Sequence, residues 1–311
     1  MARERPVPNA ERGVLLALGA AAISGLSIYL NAFGVKLVPD ATVYTTAKNG
    51  VAAIILVGLA LALGAARETR SLDRPHRAGL VVVAIIGGSV PFVLFFSGLA
   101  MATAPTAAFI QKTLFIWVAL MAVPFLGERL GLIQVVALGV LLAGQVLVAP
   151  PTGMGWGAGE TMIAIATLLW SVEIVLAKRL LVEVSAPLLG AVRMGLGFVF
   201  LLGYLALTGR LGGLATIGGE ALIWILVTGV LLAAYVATWF GALSLAPATT
   251  VTCILVAGAV VTGTLSSISN GTTPDLRVVL GYILIVVAVA LVVAATVGSR
   301  RLDAPRAALD R

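Results

Sequence analysis

The 311-residue sequence has little of what catalytic sites and soluble surfaces are made from: one cysteine, one histidine and only 11% charged residues. A lone cysteine excludes an intrachain disulfide and a cysteine-ligated metal site. A lone histidine, His76 in a charged segment, argues against a histidine-dependent triad or a histidine-ligated metal. A soluble domain carries about 25% charged residues. We therefore expect no metal, no cofactor and no soluble globular domain.

The chain is instead rich in apolar residues, at 60%, with a mean hydropathy of +1.12 and 35 glycines. Ten apolar segments are long enough to cross a bilayer, which takes about 20 residues each. Short connections containing proline or glycine join them. We predict an all-α membrane protein of ten transmembrane helices in a lipid bilayer. The predicted spans cover residues 14–35, 41–64, 79–101, 105–125, 131–149, 158–180, 187–208, 220–243, 247–267 and 277–298.

The positive charges predict the orientation of these spans. Of the 20 Lys and Arg residues, 14 lie in loops and tails on the side of the N-terminus and three lie on the opposite side. Because loops rich in Lys and Arg stay in the cytoplasm, both termini are predicted to be cytoplasmic. The net charge of +7 therefore indicates topology and no nucleic-acid partner. The remaining three cations, Lys48, Lys112 and Arg193, lie inside predicted spans.

The sequence also repeats itself. Residues 95–108 are similar to 239–252 at an offset of 144, and 47–58 are similar to 192–203 at an offset of 145. Five spans per repeat is an odd number, so the second repeat would enter the membrane inverted, as in many secondary transporters. We predict repeats over 1–150 and 151–299 and a cytoplasmic tail over 300–311.

The charges inside the spans are the candidate functional groups. A charge near the bilayer centre costs several kcal/mol unless a partner or a wet cavity answers it. At a rise of about 1.5 Å per residue, Lys48 and Lys112 lie close to the midplane. Glu173 and Arg193 fall at matched depth on neighbouring spans, which predicts a salt bridge that is either structural or opened by substrate.

The two lysines have no predicted carboxylate partner. Near Lys48, span one offers only Ser24, Ser27 and Asn31 on one helix face, and Lys112 meets no acid before Glu128, itself predicted to be a cap. A net charge of about +2 in the cavity would suit a carboxylate guest. Aromatic residues would line its apolar part, with helix packing as their alternative role. The candidate substrate-binding residues are Tyr44, Lys48, Gln111, Lys112, Trp117, Trp170, Glu173, Arg193, Tyr235 and Trp239; no catalytic residue is expected.

Three features carry a family resemblance over nearly the whole chain. They are FLGERL (125–130), the polar connection and Ala-rich start of spans four and nine, and the basic residue early in spans two and seven. The halves resemble two EamA-type domains of the drug/metabolite transporter superfamily. This resemblance implies a ten-helix carrier of the bacterial inner (plasma) membrane, nearest to the amino-acid exporter (YddG-like) branch.

The sequence departs from the family pattern in two places. NGTTPD (270–275) stands where the second repeat would carry the glycine–glutamate pair, and the prolines usual in the middle of spans four and nine are absent. We therefore expect the helix breaks of these two spans to differ from those of relatives.

We expect a secondary transporter and no enzyme, with amino acids or related small metabolites moved outward by alternating access. The alternatives are a multidrug carrier, a carrier of nucleotide sugars or phosphate metabolites, a membrane-embedded enzyme, and a scaffold or sensor. Glu173 is the one midplane carboxylate, which disfavours cationic drugs. Gly139, Gly144 and Gly281 indicate close helix approach and would also suit a homodimer contact.

Overall fold

The computed structural model describes residues 9–150 and 155–309, and these residues form helices and turns without a strand. The predicted repeat boundary at 150/151 and the ends of both termini fall partly outside the described residues. The α-helices are α1 (Ala10–Gly34), α2 (Ala41–Ala62), α3 (Glu68–Ser71), α4 (Arg74–Gly88), α5 (Val90–Leu99), α6 (Ala104–Lys112), α7 (Leu114–Leu126), α8 (Leu132–Val148), α9 (Ala158–Leu180), α10 (Ala186–Leu207), α11 (Gly219–Leu245), α12 (Ala248–Leu255), α13 (Gly258–Asn270) and α14 (Leu276–Leu309).

These helices build the predicted spans. In the described part of the chain, nine helical segments are long and apolar enough to cross a membrane, and α8 is a shorter apolar helix of 17 residues. Spans three, four and nine each consist of two helices: α4 with α5, α6 with α7, and α12 with α13. The helix α14 continues to Leu309, through most of the predicted tail.

The helix ends follow local sequence signals. Asp40 accepts from the Thr42 N–H at 2.7 Å and so caps α2, as expected for an acidic N-cap. Gly127 and Gly271 end α7 and α13 with φ of 69° and 62°, a conformation that favours glycine. These two glycines are 144 residues apart. The glycine of the family's glycine–glutamate pair therefore recurs in the second repeat, and only the glutamate is missing.

The packing of the helices obeys an approximate two-fold relation between the repeats. α1 packs on α11 of the second repeat, and the equivalent pair is α9 on α5 of the first. Three further pairs map onto themselves when the repeats are exchanged: α2 with α10, α8 with α14, and α7 with α12. The two repeats are thus interleaved, which is the layout of an inverted-repeat transporter.

The breaks in spans four and nine are equivalent, although neither contains a central proline. At Thr113 the backbone N–H donates to Ile110 O, and the N–H groups of residues 116 and 117 converge on Thr113 O. The same three bonds recur around Ala257, which lies 144 residues further on. Tight three-residue turns therefore interrupt both helices. That these breaks differ from those of relatives stays a prediction.

Glycines permit the closest helix contacts. A Cβ on Gly88 of α4 would lie 2.5 Å from Arg193 O and 3.0 Å from the Cα of Gly197, both on α10. A Cβ on Gly144 of α8 would lie 2.9 Å from Gly281 O of α14. Gly144 and Gly281 therefore serve packing inside the chain.

We predict that Gly88→Ala destabilises the protein by about 1–3 kcal/mol, because a backbone oxygen cannot yield to the new methyl group as a side chain can. Gly139→Ala is the matched control, since no heavy atom lies within 4 Å of its added Cβ, and helix propensity should make it neutral or stabilising by up to about 1 kcal/mol. Thermal unfolding of the purified protein measures both. Equal melting temperatures for the two variants would contradict the close packing of α4 on α10.

Candidate functional site

The bundle has two ends that differ in how they are closed. We call the end formed by the loops 63–73, 127–131, 181–185 and 246–247 the terminal end, because α1 begins there, and the opposite end the distal end. At the terminal end Glu128 accepts from the backbone N–H groups of Ala248 at 2.5 Å and Thr249 at 3.1 Å. Its carboxylate caps the N-terminus of α12, a favourable place for a negative charge. Glu128 of the first repeat thereby holds the broken span of the second.

Two basic residues at the end of α9 complete this closure. Pro247 has no N–H, so the carbonyl of Leu243 loses its helical partner. Lys178 donates to that carbonyl at 2.5 Å and to Ala246 O at 2.8 Å. Arg179 donates from Nε and Nη2 to Phe125 O, at 3.0 and 2.6 Å. The two cations at the end of α9 therefore bind the C-terminal ends of α7 and α11 and hold both helices against α9.

The break in span three supplies a partner for the buried arginine. Pro91 cannot donate to Gly87 O, four residues earlier, so the helix is interrupted at Ser89. The freed Gly87 carbonyl accepts from Arg193 Nη2 at 2.9 Å and from Trp170 Nε1 at 3.2 Å. Sequence reasoning missed this group, although Pro91 inside a predicted span was a signal for it.

The predicted salt bridge between Arg193 and Glu173 is confirmed. Arg193 Nε lies 3.1 Å from Glu173 Oε1, and the two side chains are 11% and 3% exposed. The guanidinium also lies over the ring of Phe240, 5.9 Å from its centroid. Gly87 is needed beside them, because a Cβ there would lie 2.4 Å from Glu173 Cγ.

Three of the predicted aromatic residues gather near this pair. Trp170 packs edge-on against Phe92, with the ring centroids 5.4 Å apart. Tyr235 stacks on Trp239 at 6.0 Å, and its phenol lies within electrostatic reach of Arg193 and Glu173. Tyr235 is only partly buried, whereas Trp239 is 5% exposed. The structure thus brings together a group that we call the pair cluster: Trp170, Glu173, Arg193, Tyr235 and Trp239.

Lys48 lies in a separate group on α1 and α2. Its Nζ donates to Asn31 Oδ1 at 3.1 Å, and Asn31 Nδ2 donates to Ser27 Oγ at 3.1 Å. The polar face predicted for span one therefore answers Lys48 with neutral groups. Tyr44, also predicted to line the site, is 1% exposed and its hydroxyl lies 2.9 Å from Thr228 Oγ1. This ring lies in the packing between α2 and α11.

Lys112 is the last residue of α6, directly before the break at Thr113. Within residues 9–150 and 155–309, neither Lys112 nor Gln111 has a hydrogen-bond or ion-pair partner, and both are half-buried. The face of α6 that carries Ala107 and Ile110 packs against Ile163 of α9. Lys112 lies on the opposite side of α6, where an ammonium group that faced lipid would cost several kcal/mol.

Trp117 is not brought to these groups. Its ring is 40% exposed on the side of α7 that carries Leu120, opposite the buried Phe115 and Val118. The indole Nε1 donates to Thr113 Oγ1 at 3.1 Å and so satisfies a hydroxyl at the helix break. Substrate contact through Trp117 would require α7 to rotate or the substrate to approach from that side.

The buried charges do not balance. Arg193 and Glu173 neutralise each other, whereas Lys48 has an uncharged partner and Lys112 has none in the described residues. The first two spans of each repeat are equivalent. In the second repeat their basic residue, Arg193, bonds to a carboxylate, and in the first repeat Lys48 bonds to an amide. Within the described residues, two ammonium groups therefore lie without a carboxylate partner.

Interleaved inverted repeats, broken spans and charged groups inside the bundle define the class of secondary membrane transporters. The chain belongs to the EamA-like transporter family, which matches residues 11–149 and again residues 157–294. It is therefore a membrane transporter of the drug/metabolite superfamily.

Two further comparisons are less informative. A solved structure described only as the crystal structure of a protein is 18% identical, superposes with a TM-score of 0.74, and matches 90% of this chain and 97% of its own. At that identity the likeness supports the fold alone. No curated protein matches the sequence.

We predict that Arg193→Met alone destabilises the protein by about 3–5 kcal/mol, because it leaves the Glu173 carboxylate buried without its cation. The double variant Glu173→Leu/Arg193→Met should recover most of this loss, since it removes both charges. Unfolding of Glu173→Leu, Arg193→Met and the double variant in detergent measures the coupling between the two residues. A double variant as unstable as the sum of the singles would show that the two side chains do not act as a pair.

Cys253 offers a direct probe of the terminal-end closure. It is the sole cysteine, is fully buried on α12, and lies within electrostatic reach of Glu128. Losing a helix cap costs about 1 kcal/mol, so Glu128→Ala should speed thiol labelling of Cys253 by about fivefold. The control is Glu220→Ala, an exposed acid at the start of α11 near the distal end. Unchanged labelling in Glu128→Ala would mean that this cap does not hold the terminal end closed.

Proposed function

We propose that this transporter exports amino acids or related small metabolites across the inner membrane by alternating access, with its terminal end in the cytoplasm. The observation that carries the proposal is the surplus of positive charge inside the bundle. Lys112 is unpartnered in the described residues, and Lys48 meets two uncharged groups, the Asn31 amide and the Tyr44 ring 5.9 Å from its Nζ. A carboxylate is the guest that such ammonium groups hold best.

The packing around the two broken spans supports alternating access. Their terminal-side halves, α7 and α12, pack against each other. Their distal-side halves, α6 and α13, have different neighbours: α6 packs on α5, α8 and α9, whereas α13 packs on α1. From this packing we infer a conformation that is closed at the terminal end.

Moving to the opposite conformation requires contacts at the terminal end to break. Glu128 must release α12, and Lys178 and Arg179 must release the carbonyls on α11 and α7. The turns at Thr113 and Ala257 are the natural hinges, since a broken helix bends where its hydrogen bonds are already missing. At the distal end, Asp40 and Arg210 already form an exposed ion pair at 3.4 Å.

The pair cluster suits the other part of the substrate. Glu173 can attract an ammonium group if Arg193 shifts further onto Gly87 O, which it already contacts. Trp170 and Tyr235 provide apolar and aromatic surface beside it. A cationic drug is disfavoured because the one midplane carboxylate already has a cation 3.1 Å away. A phosphate-bearing guest is the second candidate, since lysine also binds phosphate.

We predict that Lys112→Leu abolishes transport while the protein still folds, because the substitution removes a charge that no group in the described residues needs. Counterflow of labelled amino acids in proteoliposomes measures the transport, and thermal unfolding measures the fold. Lys36→Leu is the control, since Lys36 is an exposed lysine at the distal end, and its counterflow should equal that of the parent. Normal transport by Lys112→Leu would remove this lysine from the proposed site.

A further inference from the structure

The surplus charge has a consequence for which metabolites fit. The spans of the described chain contain three basic side chains away from the span ends, Lys48, Lys112 and Arg193, and one acidic side chain, Glu173. Their formal sum is +2. A zwitterionic amino acid carries one carboxylate and one ammonium, so its binding leaves that sum unchanged. Charge buried in a membrane protein is costly unless it is compensated. The carboxylate of a zwitterion would compensate one lysine, but its ammonium group would add a new positive charge to the site.

The two lysines also approach from different parts of the bundle. Lys48 lies on α2, which packs against α10 and α11, and it bonds to Asn31 on α1. Lys112 lies at the end of α6, which packs against α5, α8 and α9. Donors on separate helices suit acceptors that are separated within the guest, because each ammonium then forms its own charge-assisted hydrogen bond.

From this placement we infer that the preferred substrate carries two carboxylates, as an acidic amino acid or a dicarboxylic acid does. The inference rests on the proposed function and makes its substrate class narrower. Lys112 holds one carboxylate and Lys48 holds the other, so a dicarboxylic acid brings the formal sum to zero and an acidic amino acid, which also carries an ammonium group, lowers it to +1. A guest that bridges α2 and α6 also draws the two helix groups together, which favours closing the distal end around it.

A single phosphate group fits this arrangement less well. Its oxygens are all bonded to one phosphorus atom, so they lie close together. They would bind one lysine at a time unless the two ammonium groups came close to each other. Guanidinium is the side chain best matched to phosphate geometry, and the guanidinium of Arg193 is already bonded to Glu173 and to Gly87 O. The two cations without a carboxylate partner in the described residues are lysines, which act as point charges.

Two pairs of amino acids isolate the second carboxylate, because each acid differs from its amide in that group alone. Proteoliposomes are loaded with L-aspartate, and counterflow of labelled L-aspartate is competed with unlabelled aspartate, asparagine, glutamate, glutamine, succinate, leucine and a nucleotide sugar. Each acid should compete at a concentration at least about tenfold below that of its amide, the ratio that about 1.4 kcal/mol corresponds to. Succinate should compete with the acids, which shows that the second carboxylate outweighs the ammonium group.

The variant Lys48→Met tests the assignment of the second carboxylate. The half-maximal competing concentration of asparagine, divided by that of aspartate, should fall at least about fivefold in this variant. The control Lys36→Met should keep the parent ratio. A unit ratio in the parent, or a nucleotide sugar that competes better than aspartate, would overturn the inference. When labelled aspartate shows no counterflow, labelled leucine and asparagine are tried: their exchange overturns only the second carboxylate, and no exchange of any amino acid overturns the proposed function itself.

Discussion

The cost of a charge inside a membrane organises this protein. The structure meets that cost in three ways: a carboxylate for Arg193, an amide for Lys48, and no partner in the described residues for Lys112. Glu173 cancels the charge of Arg193, whereas Lys48 and Lys112 each keep one positive charge. A carrier needs such incomplete compensation, because a site whose charges were all paired would have no electrostatic reason to bind a substrate.

Proline acts throughout by the hydrogen bond that it cannot donate. Pro91 frees Gly87 O, which then accepts from Arg193 and Trp170, and Pro247 frees Leu243 O, which accepts from Lys178. In lipid a freed carbonyl must find another donor, so each of these prolines creates a place where a distant side chain attaches. One such place lies in the pair cluster and the other closes the terminal end.

The two repeats share their backbone and differ in their chemistry. The turns at Thr113 and Ala257 have the same hydrogen bonds, and Gly127 and Gly271 end their helices in the same way. The first repeat contributes Glu128, which caps α12 of the second repeat, whereas α6 is capped by Thr103 of its own repeat. The cap on α12 therefore links the two repeats at the terminal end.

Hydropathy and internal similarity determined the all-helical fold and its repeats, because the bilayer restricts a spanning segment to an apolar helix. Counting residues from the turn was enough to predict the bond between Glu173 and Arg193. In two antiparallel helices joined by a short turn, residues equally far from the turn lie at the same depth. Only the tertiary structure decided which faces meet. It buried Tyr44, turned Trp117 away, broke two helices without proline and brought Gly87 O to the arginine. Those outcomes depend on contacts between distant segments, which local pattern does not contain.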